Sequence, residues 1–174
     1  MDMRAISVLF AGGLVFAATS SAAEIRFSFI ENAPKDRFSI INGAACETGP
    51  IEVIIDLSTS AGKLVFDTTE AGVGVEVYQP FDLVAGTEFV LSATPVSDGD
   101  HMVHMALSDL PPGAEVGFTI DVDDRLENGA LGQTRVAGSE IEGAAATVIS
   151  RTSGAVSGRY DQRNQVVLAY DACL

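Results

Sequence analysis

Hydrophobic and polar residues alternate with a period of two along most of the chain after residue 23. The clearest case runs from Val116 to Val122, where valine, phenylalanine and isoleucine alternate with glycine, threonine and aspartate. Because successive side chains of a strand point to opposite faces, this pattern predicts strands that each bury one face. We predict about ten strands, at residues 25–29, 38–40, 51–57, 64–66, 73–77, 89–93, 103–107, 116–122, 145–149 and 166–170.

Turn-forming pairs such as Asn42-Gly43, Asp98-Gly99 and Asn128-Gly129 separate these segments. Short strands at such spacing, without helical periodicity between them, are typical of an all-β sandwich or barrel. We therefore predict a single antiparallel β-sandwich of immunoglobulin-like or Greek-key type, with about 8–10 strands. It occupies residues 24–174, and the segment 138–158, rich in Gly, Ala and Ser, is interpreted as a hairpin region inside this domain.

The first 23 residues have the features of a secretory signal peptide. Arg4 supplies a positive charge, residues 6–18 are apolar, and small residues precede Glu24. The apolar run of 13 residues is shorter than the roughly 20 needed to span a bilayer. We expect an exported, periplasmic or extracellular protein without a membrane span in its mature form, the alternative being an uncleaved N-terminal anchor.

The chain has two cysteines, Cys46 and Cys173. An even number of cysteines in an exported protein indicates a disulfide, because the compartment is oxidising. We predict a structural disulfide between them, and two free buried thiols are the alternative.

Acidic residues are concentrated in the middle of the chain. The formal net charge is -14, and residues 64–124 hold twelve Asp and Glu but no Lys or Arg. Nucleic acid and anionic membranes select basic surfaces, so neither is expected as a partner.

Three of these acids, Asp121, Asp123 and Asp124, lie at the end of one predicted strand. Alternation places Asp121 and Asp123 on the face turned to water, where crowded carboxylates repel one another unless solvated or neutralised. Ca²⁺ is the hard, oxygen-seeking cation that would neutralise them, with Asp98 and Asp100 contributing if their loop lies nearby. The alternative is a solvated acidic rim, since the EF-hand template does not fit here.

Candidate chemistry elsewhere is sparse. On a strand, the spacing of His101 and His104 points the two histidines to opposite faces. A zinc site would therefore use Asp100 with one histidine only, whereas such a site needs three or four convergent ligands. No GxSxG, SxxK, HExxH or Gly-rich phosphate loop occurs. We therefore assign no catalytic residue and no cofactor beyond Ca²⁺, while a carboxylate pair for glycoside hydrolysis stays open.

Three stretches, Glu31–Asn42 followed by Cys46, Phe66–Gly86 and Asp109–Asp124, resemble small exported bacterial proteins labelled "aggregation factor core". The resemblance covers about the first two-thirds of the expected mature chain. It implies an extracellular adhesion or matrix role with calcium-dependent contact. The chain differs from a sponge aggregation factor in lacking tandem repeats, which leaves multivalent bridging in question.

From these observations we expect a non-enzymatic adhesion, matrix or surface-association protein with an acidic, calcium-binding face, whose partner is a protein or a cell-surface component. Two alternatives remain: a periplasmic module that binds a basic protein or a cation, and a hydrolase with an unrecognised carboxylate pair.

Overall fold

The computed structural model describes residues 23–74, 77–129 and 131–170. This part of the chain contains eleven β-strands, one short 3-10 helix (Thr87–Phe89) and no α-helix. The strands are β1 (Ala23–Ile30), β2 (Asp36–Asn42), β3 (Ile51–Asp56), β4 (Val65–Asp67), β5 (Asp82–Ala85), β6 (Val90–Ala93), β7 (Met102–Leu107), β8 (Glu115–Asp123), β9 (Ala145–Ser150), β10 (Gly154–Arg159) and β11 (Gln165–Tyr170).

The strands form two antiparallel sheets that pack face to face, which confirms the predicted β-sandwich. One sheet has the order β11-β1-β2-β8-β4, and β5 also pairs with β8. The other sheet has the order β10-β9-β3-β7-β6. Strand β8 pairs with β2 along one edge, so β4 and β5 follow one another along its other edge.

The space between the sheets is filled by the alternating apolar side chains that the sequence indicated. Phe38 and Phe118 stack with their ring centroids 4.9 Å apart, and the Phe81 ring centroid also lies 4.9 Å from that of Phe118. The second sheet contributes Val53, Ile55, Val103, Met105 and Val148, all buried. Since burying one such side chain stabilises the fold by about 1.5–3 kcal/mol, this apolar layer is the main source of stability.

The predicted strand at residues 73–77 is wrong at its described positions. Val73, Gly74 and Val77 lie in the connection between β4 and β5, and residues 75 and 76 lie outside the described part. Gly74 sits against Asp67, where an added Cβ would lie 2.2 Å from the carboxyl carbon. This close approach, rather than a strand pairing, explains the glycine that interrupts the valines. The hairpin predicted within residues 138–158 is confirmed as β9 and β10.

Two other predictions fall at the chain ends. The signal peptide lies outside the described residues except for Ala23, which pairs with Tyr170 in the first sheet. Cys173 also lies outside them, so its disulfide with Cys46 stays a prediction. No helix in residues 23–170, as far as they are described, is long and apolar enough to cross a membrane.

Candidate cation site

Three aspartates meet where β4 pairs with β8. In this register Asp67 lies directly opposite Asp121, and Val65 lies opposite Asp123. Side chains that lie directly opposite each other on paired strands share a face of the sheet, and so do side chains two residues apart on one strand. The side chains of Asp67, Asp121 and Asp123 therefore point the same way. Phe66 and Val122 pair between them and point into the core. The alternating pattern thus places three acids together on the outer face of the first sheet.

These three residues, the aspartate cluster, are close together and buried. One carboxylate oxygen from each lies within 4.8 Å of the others. Their exposed fractions are 3% for Asp67, 5% for Asp121 and 1% for Asp123. The expectation that Asp121 and Asp123 face water is therefore wrong. The strand parity was right, but the outer face of the sheet at this point is covered.

The cover comes from the connection between β4 and β5. Gly74 lies on Asp67, as described above, and the cavity wall beside Asp121 includes Val77. The backbone of Gln79 bridges the two strands: its N–H donates to the Asp67 carbonyl at 3.2 Å, and its carbonyl accepts from the Asp121 N–H at 3.2 Å. This segment therefore continues the edge of β8 between β4 and β5 and closes over the acids.

Burial and mutual repulsion raise the pKa values of Asp121 and Asp67. The pKa of Asp121 is raised to about 8, first by burial and then by the neighbouring charges of Asp123, Asp36 and Asp67. The pKa of Asp67 is raised to about 6 by burial, by a hydrogen bond with Asp98 and by the charge of Asp123. Asp67 Oδ1 and Asp121 Oδ2 are buried without a hydrogen-bond partner within the described structure. Such atoms normally have one, so a missing partner calls for an explanation.

Asp98, predicted as a calcium ligand, supports the cover instead. Its Oδ1 accepts from the N–H groups of Thr68 and Thr69 at 3.0 and 3.3 Å, and its Oδ2 accepts from the Val73 N–H at 2.7 Å. Although burial opposes ionisation, these donors and the hydrogen bond from Asp67 lower the pKa of Asp98. An ionised Asp98 thus holds the first half of the β4–β5 connection and contacts the cluster through Asp67.

The other two predicted ligands also lie outside the cluster. Asp124 is buried directly after β8, its Oδ1 accepts from the Leu126 N–H at 2.8 Å, and its Oδ2 has no hydrogen-bond partner within the described structure. Asp100 is exposed and accepts from the Ser97 N–H at 2.7 Å, which closes the turn before β7. The structure therefore brings together Asp121 and Asp123 of the predicted set and adds Asp67.

A cavity of about 230 Å³ adjoins the cluster, with Asp121 in its wall. Asp36, the first residue of β2, also lines it and is buried. The two oxygens of Asp36 accept from the N–H groups of Asn32 and Val122, at 3.1 and 3.2 Å. Burial nevertheless raises the pKa of Asp36 to about 7. Sequence reasoning missed Asp36 because it stands beside Lys35 and Arg37, where an exposed ion pair is the ordinary interpretation.

No family model matches the chain, and no curated protein or solved structure is similar to it. The resemblance to aggregation factor core proteins accordingly stays a prediction. Function has to be argued from the geometry of the site.

The two histidines make separate contacts. His101 Nδ1 lies 2.9 Å from the Leu64 carbonyl oxygen, and His104 Nε2 lies 2.9 Å from Glu52 Oε2. Within the described residues, the one group of three or more close acidic, histidine or cysteine ligands is the aspartate cluster. The zinc alternative with Asp100 therefore gains no geometric support.

The cluster can do two things chemically. It can hold protons, as its raised pKa values show, or it can hold a cation that replaces them. Two oxygens bound to one Ca²⁺ at about 2.4 Å can be at most about 4.8 Å apart. Each pair of oxygens in the cluster lies within this pairwise limit.

Proposed function

We propose that this protein is a calcium-binding association protein, with Ca²⁺ held by Asp67, Asp121 and Asp123. The observation that carries the proposal is the meeting of three buried carboxylates, one oxygen from each within 4.8 Å of the others. The buried oxygens Asp67 Oδ1 and Asp121 Oδ2, which lack hydrogen-bond partners among the described residues, are a second and separate indication. A bound cation would give both oxygens a partner.

The ligand chemistry favours calcium over other metals. All three ligands are carboxylates, whereas zinc sites are built from cysteine and histidine with an occasional carboxylate. Magnesium binds at 2.0–2.1 Å in a strict octahedron and keeps several waters, which suits a buried pocket poorly. Calcium accepts six to eight oxygens in a flexible geometry, so it tolerates both the cluster and additional carbonyl or water ligands.

The basic residue in the wall of the adjoining cavity, Arg135, is ion-paired with Glu31. No salt bridge in the described part of the chain involves Asp67 or Asp121. The segment 64–124, from which the cluster comes, contains no Lys or Arg. Buried charges are normally paired or bound to metal, so the absence of a salt bridge from Asp67 and Asp121 within the described residues favours a metal ion.

The role in association rests on the same site and on the predicted resemblance. A calcium ion would tie β4, β8 and the connection after β4 together, and so order the outer face of the first sheet. A carboxylate pair for hydrolysis is less well supported, because Asp121 alone of the three lines the adjoining cavity, while Asp67 and Asp123 are only 3% and 1% exposed. We propose that the ordered face is the surface that meets an extracellular partner.

The test is a titration of the purified, chelator-treated protein with Ca²⁺ and with Mg²⁺. Binding is measured by calorimetry and by the change in melting temperature. We expect saturable Ca²⁺ binding with a raised melting temperature, and weaker or absent Mg²⁺ binding. Asp67→Asn and Asp121→Asn should each abolish the response, whereas Asp109→Asn, at an exposed acid, should leave it unchanged. Absence of a calcium response in the wild type, or an equal response in Asp67→Asn, would refute the proposal.

A further inference from the structure

The cavity beside the aspartate cluster is a second candidate site with its own lining. It lies between the turn at residues 31–34, Asp36, Asp121 and the residues Val77, Thr134 and Arg135. Its volume of about 230 Å³ is far more than a single ion needs, since calcium–oxygen distances are only about 2.3–2.6 Å. The cavity therefore has room for an organic group.

The charge of the lining favours a cation. Three carboxyl groups, Glu31, Asp36 and Asp121, face one basic group, Arg135. Arg135 Nη2 contacts Glu31 Oε1 at 2.9 Å and is held at the rim by it. Asp36 uses its oxygens on backbone donors, whereas Asp121 Oδ2 has no hydrogen-bond partner within the described structure. Asp121, one of the lining residues, thus carries a buried acceptor without a donor in the described structure.

A guanidinium group supplies what this cavity lacks. It is planar, permanently charged and offers five N–H donors in a fork that matches carboxylates. The chain's own Arg135 already places one such group against Glu31 at the rim. The apolar residues Ala33, Pro34 and Val77 in the same wall would contact the methylene stem of an arginine.

We propose that this cavity binds the arginine side chain of a basic protein or peptide, with Asp121 and Glu31 as its charged contacts. The inference rests on the proposed function only in sharing Asp121 with the calcium site. Because both cations would use that carboxylate, Ca²⁺ and arginine binding are competitive.

The test uses Nα-acetyl-arginine amide as the probe and Nα-acetyl-citrulline amide as its uncharged analogue of the same shape. Binding to the full chain is followed by calorimetry in calcium-free buffer at pH 8. We expect the arginine probe to bind and the citrulline probe not to bind. Asp121→Asn should lower the affinity for the arginine probe at least about tenfold, because the substitution removes one partner of a buried charge pair. Glu31→Gln should weaken it several-fold.

Asp67→Asn is the control that separates this inference from the calcium proposal, because Asp67 belongs to the cluster but not to the cavity wall. The Asp67→Asn variant should still bind the arginine probe but should no longer bind Ca²⁺, whereas Glu31→Gln should still bind Ca²⁺. In the wild type, Ca²⁺ should lower the affinity for the arginine probe, and in Asp67→Asn it should leave that affinity unchanged. Circular dichroism checks that each variant is folded.

The outcomes separate clearly. Arginine binding without calcium binding would overturn the calcium proposal and leave this inference standing. Calcium binding with no arginine binding at millimolar probe would overturn this inference alone. Equal binding of arginine and citrulline, or unchanged affinity in both Asp121→Asn and Glu31→Gln, would also overturn it.

Discussion

Replacing Asp121 by asparagine should make the calcium-free protein more stable, by an amount that grows with pH. At low pH the carboxyl is protonated and nearly isosteric with the amide, so the two proteins should be alike. As the pH rises, the wild type has to ionise a buried acid whose pKa is raised from 3.8 to about 8. A folded protein that holds a proton more tightly than its unfolded chain loses stability as the pH rises between those two values.

The structure sets the size of the effect. Two charges 4.8 Å apart repel one another by about 3.5 kcal/mol at an effective dielectric constant of about 20. The pKa difference sets a ceiling of about 6 kcal/mol, at about 1.4 kcal/mol for each tenfold change in proton affinity. We expect Asp121→Asn to gain about 2–4 kcal/mol in the free energy of unfolding at pH 8.

The assay is urea unfolding of both proteins in chelator at pH 5 and pH 8, with Asp109→Asn as the control. At pH 8 the gain corresponds to a rise in melting temperature of about 5–15 °C for a chain of this length. Asp109→Asn should track the wild type at both pH values, because Asp109 is exposed. The quantity compared is the gain in unfolding free energy of Asp121→Asn over the wild type. If this gain is no larger at pH 8 than at pH 5, the view that Asp121 is a buried, proton-holding acid is refuted.

Three further predictions concern the cover, the core and the chain ends. Gly74→Ala should destabilise the protein by about 1–3 kcal/mol, measured by urea unfolding, because its Cβ would lie 2.2 Å from Asp67 Cγ; an unchanged midpoint would show that the cover is loose. Phe118→Ala should cost about 3–5 kcal/mol, because the ring is fully buried and stacked on Phe38; a loss below about 1 kcal/mol would contradict the packing described. Intact mass spectrometry should show the protein about 2 Da lighter before reduction than after it, and alkylation of both cysteines without reductant would exclude the disulfide between Cys46 and Cys173.

The class of fold could be predicted from the sequence because strand burial leaves a local signal. The alternation from Val116 to Val122 directly reports which side chains enter the core, and the structure buries them as expected. The Val73–Val77 segment shows the limit of that signal. Valines alternating with other residues also occur where a loop packs over a face, and the glycine that fits against Asp67 is locally indistinguishable from one in a strand.

The cluster itself could be predicted only in part. Asp121 and Asp123 share a strand, so their common face follows from parity. Asp67 joins them because β4 pairs with β8 in a register that sets it opposite Asp121. The local sequence of neither strand predicts this pairing, because the two segments are far apart in the chain. Burial of the acids was missed because the connection beside them alternates like a strand in the sequence, and its contact with Asp67 is not visible in that local pattern.

The most direct test of the central claim is the number of protons released when calcium binds. With the pKa of Asp121 at about 8 and that of Asp67 at about 6, these two residues together hold about one proton at pH 7, which Ca²⁺ has to displace. Calorimetric titration with Ca²⁺ at pH 7, in buffers of different ionisation enthalpy, measures this number. We predict about one proton released per bound Ca²⁺ at pH 7 and almost none at pH 9. Calcium binding without proton release at pH 7, or no binding at either pH, would contradict the account.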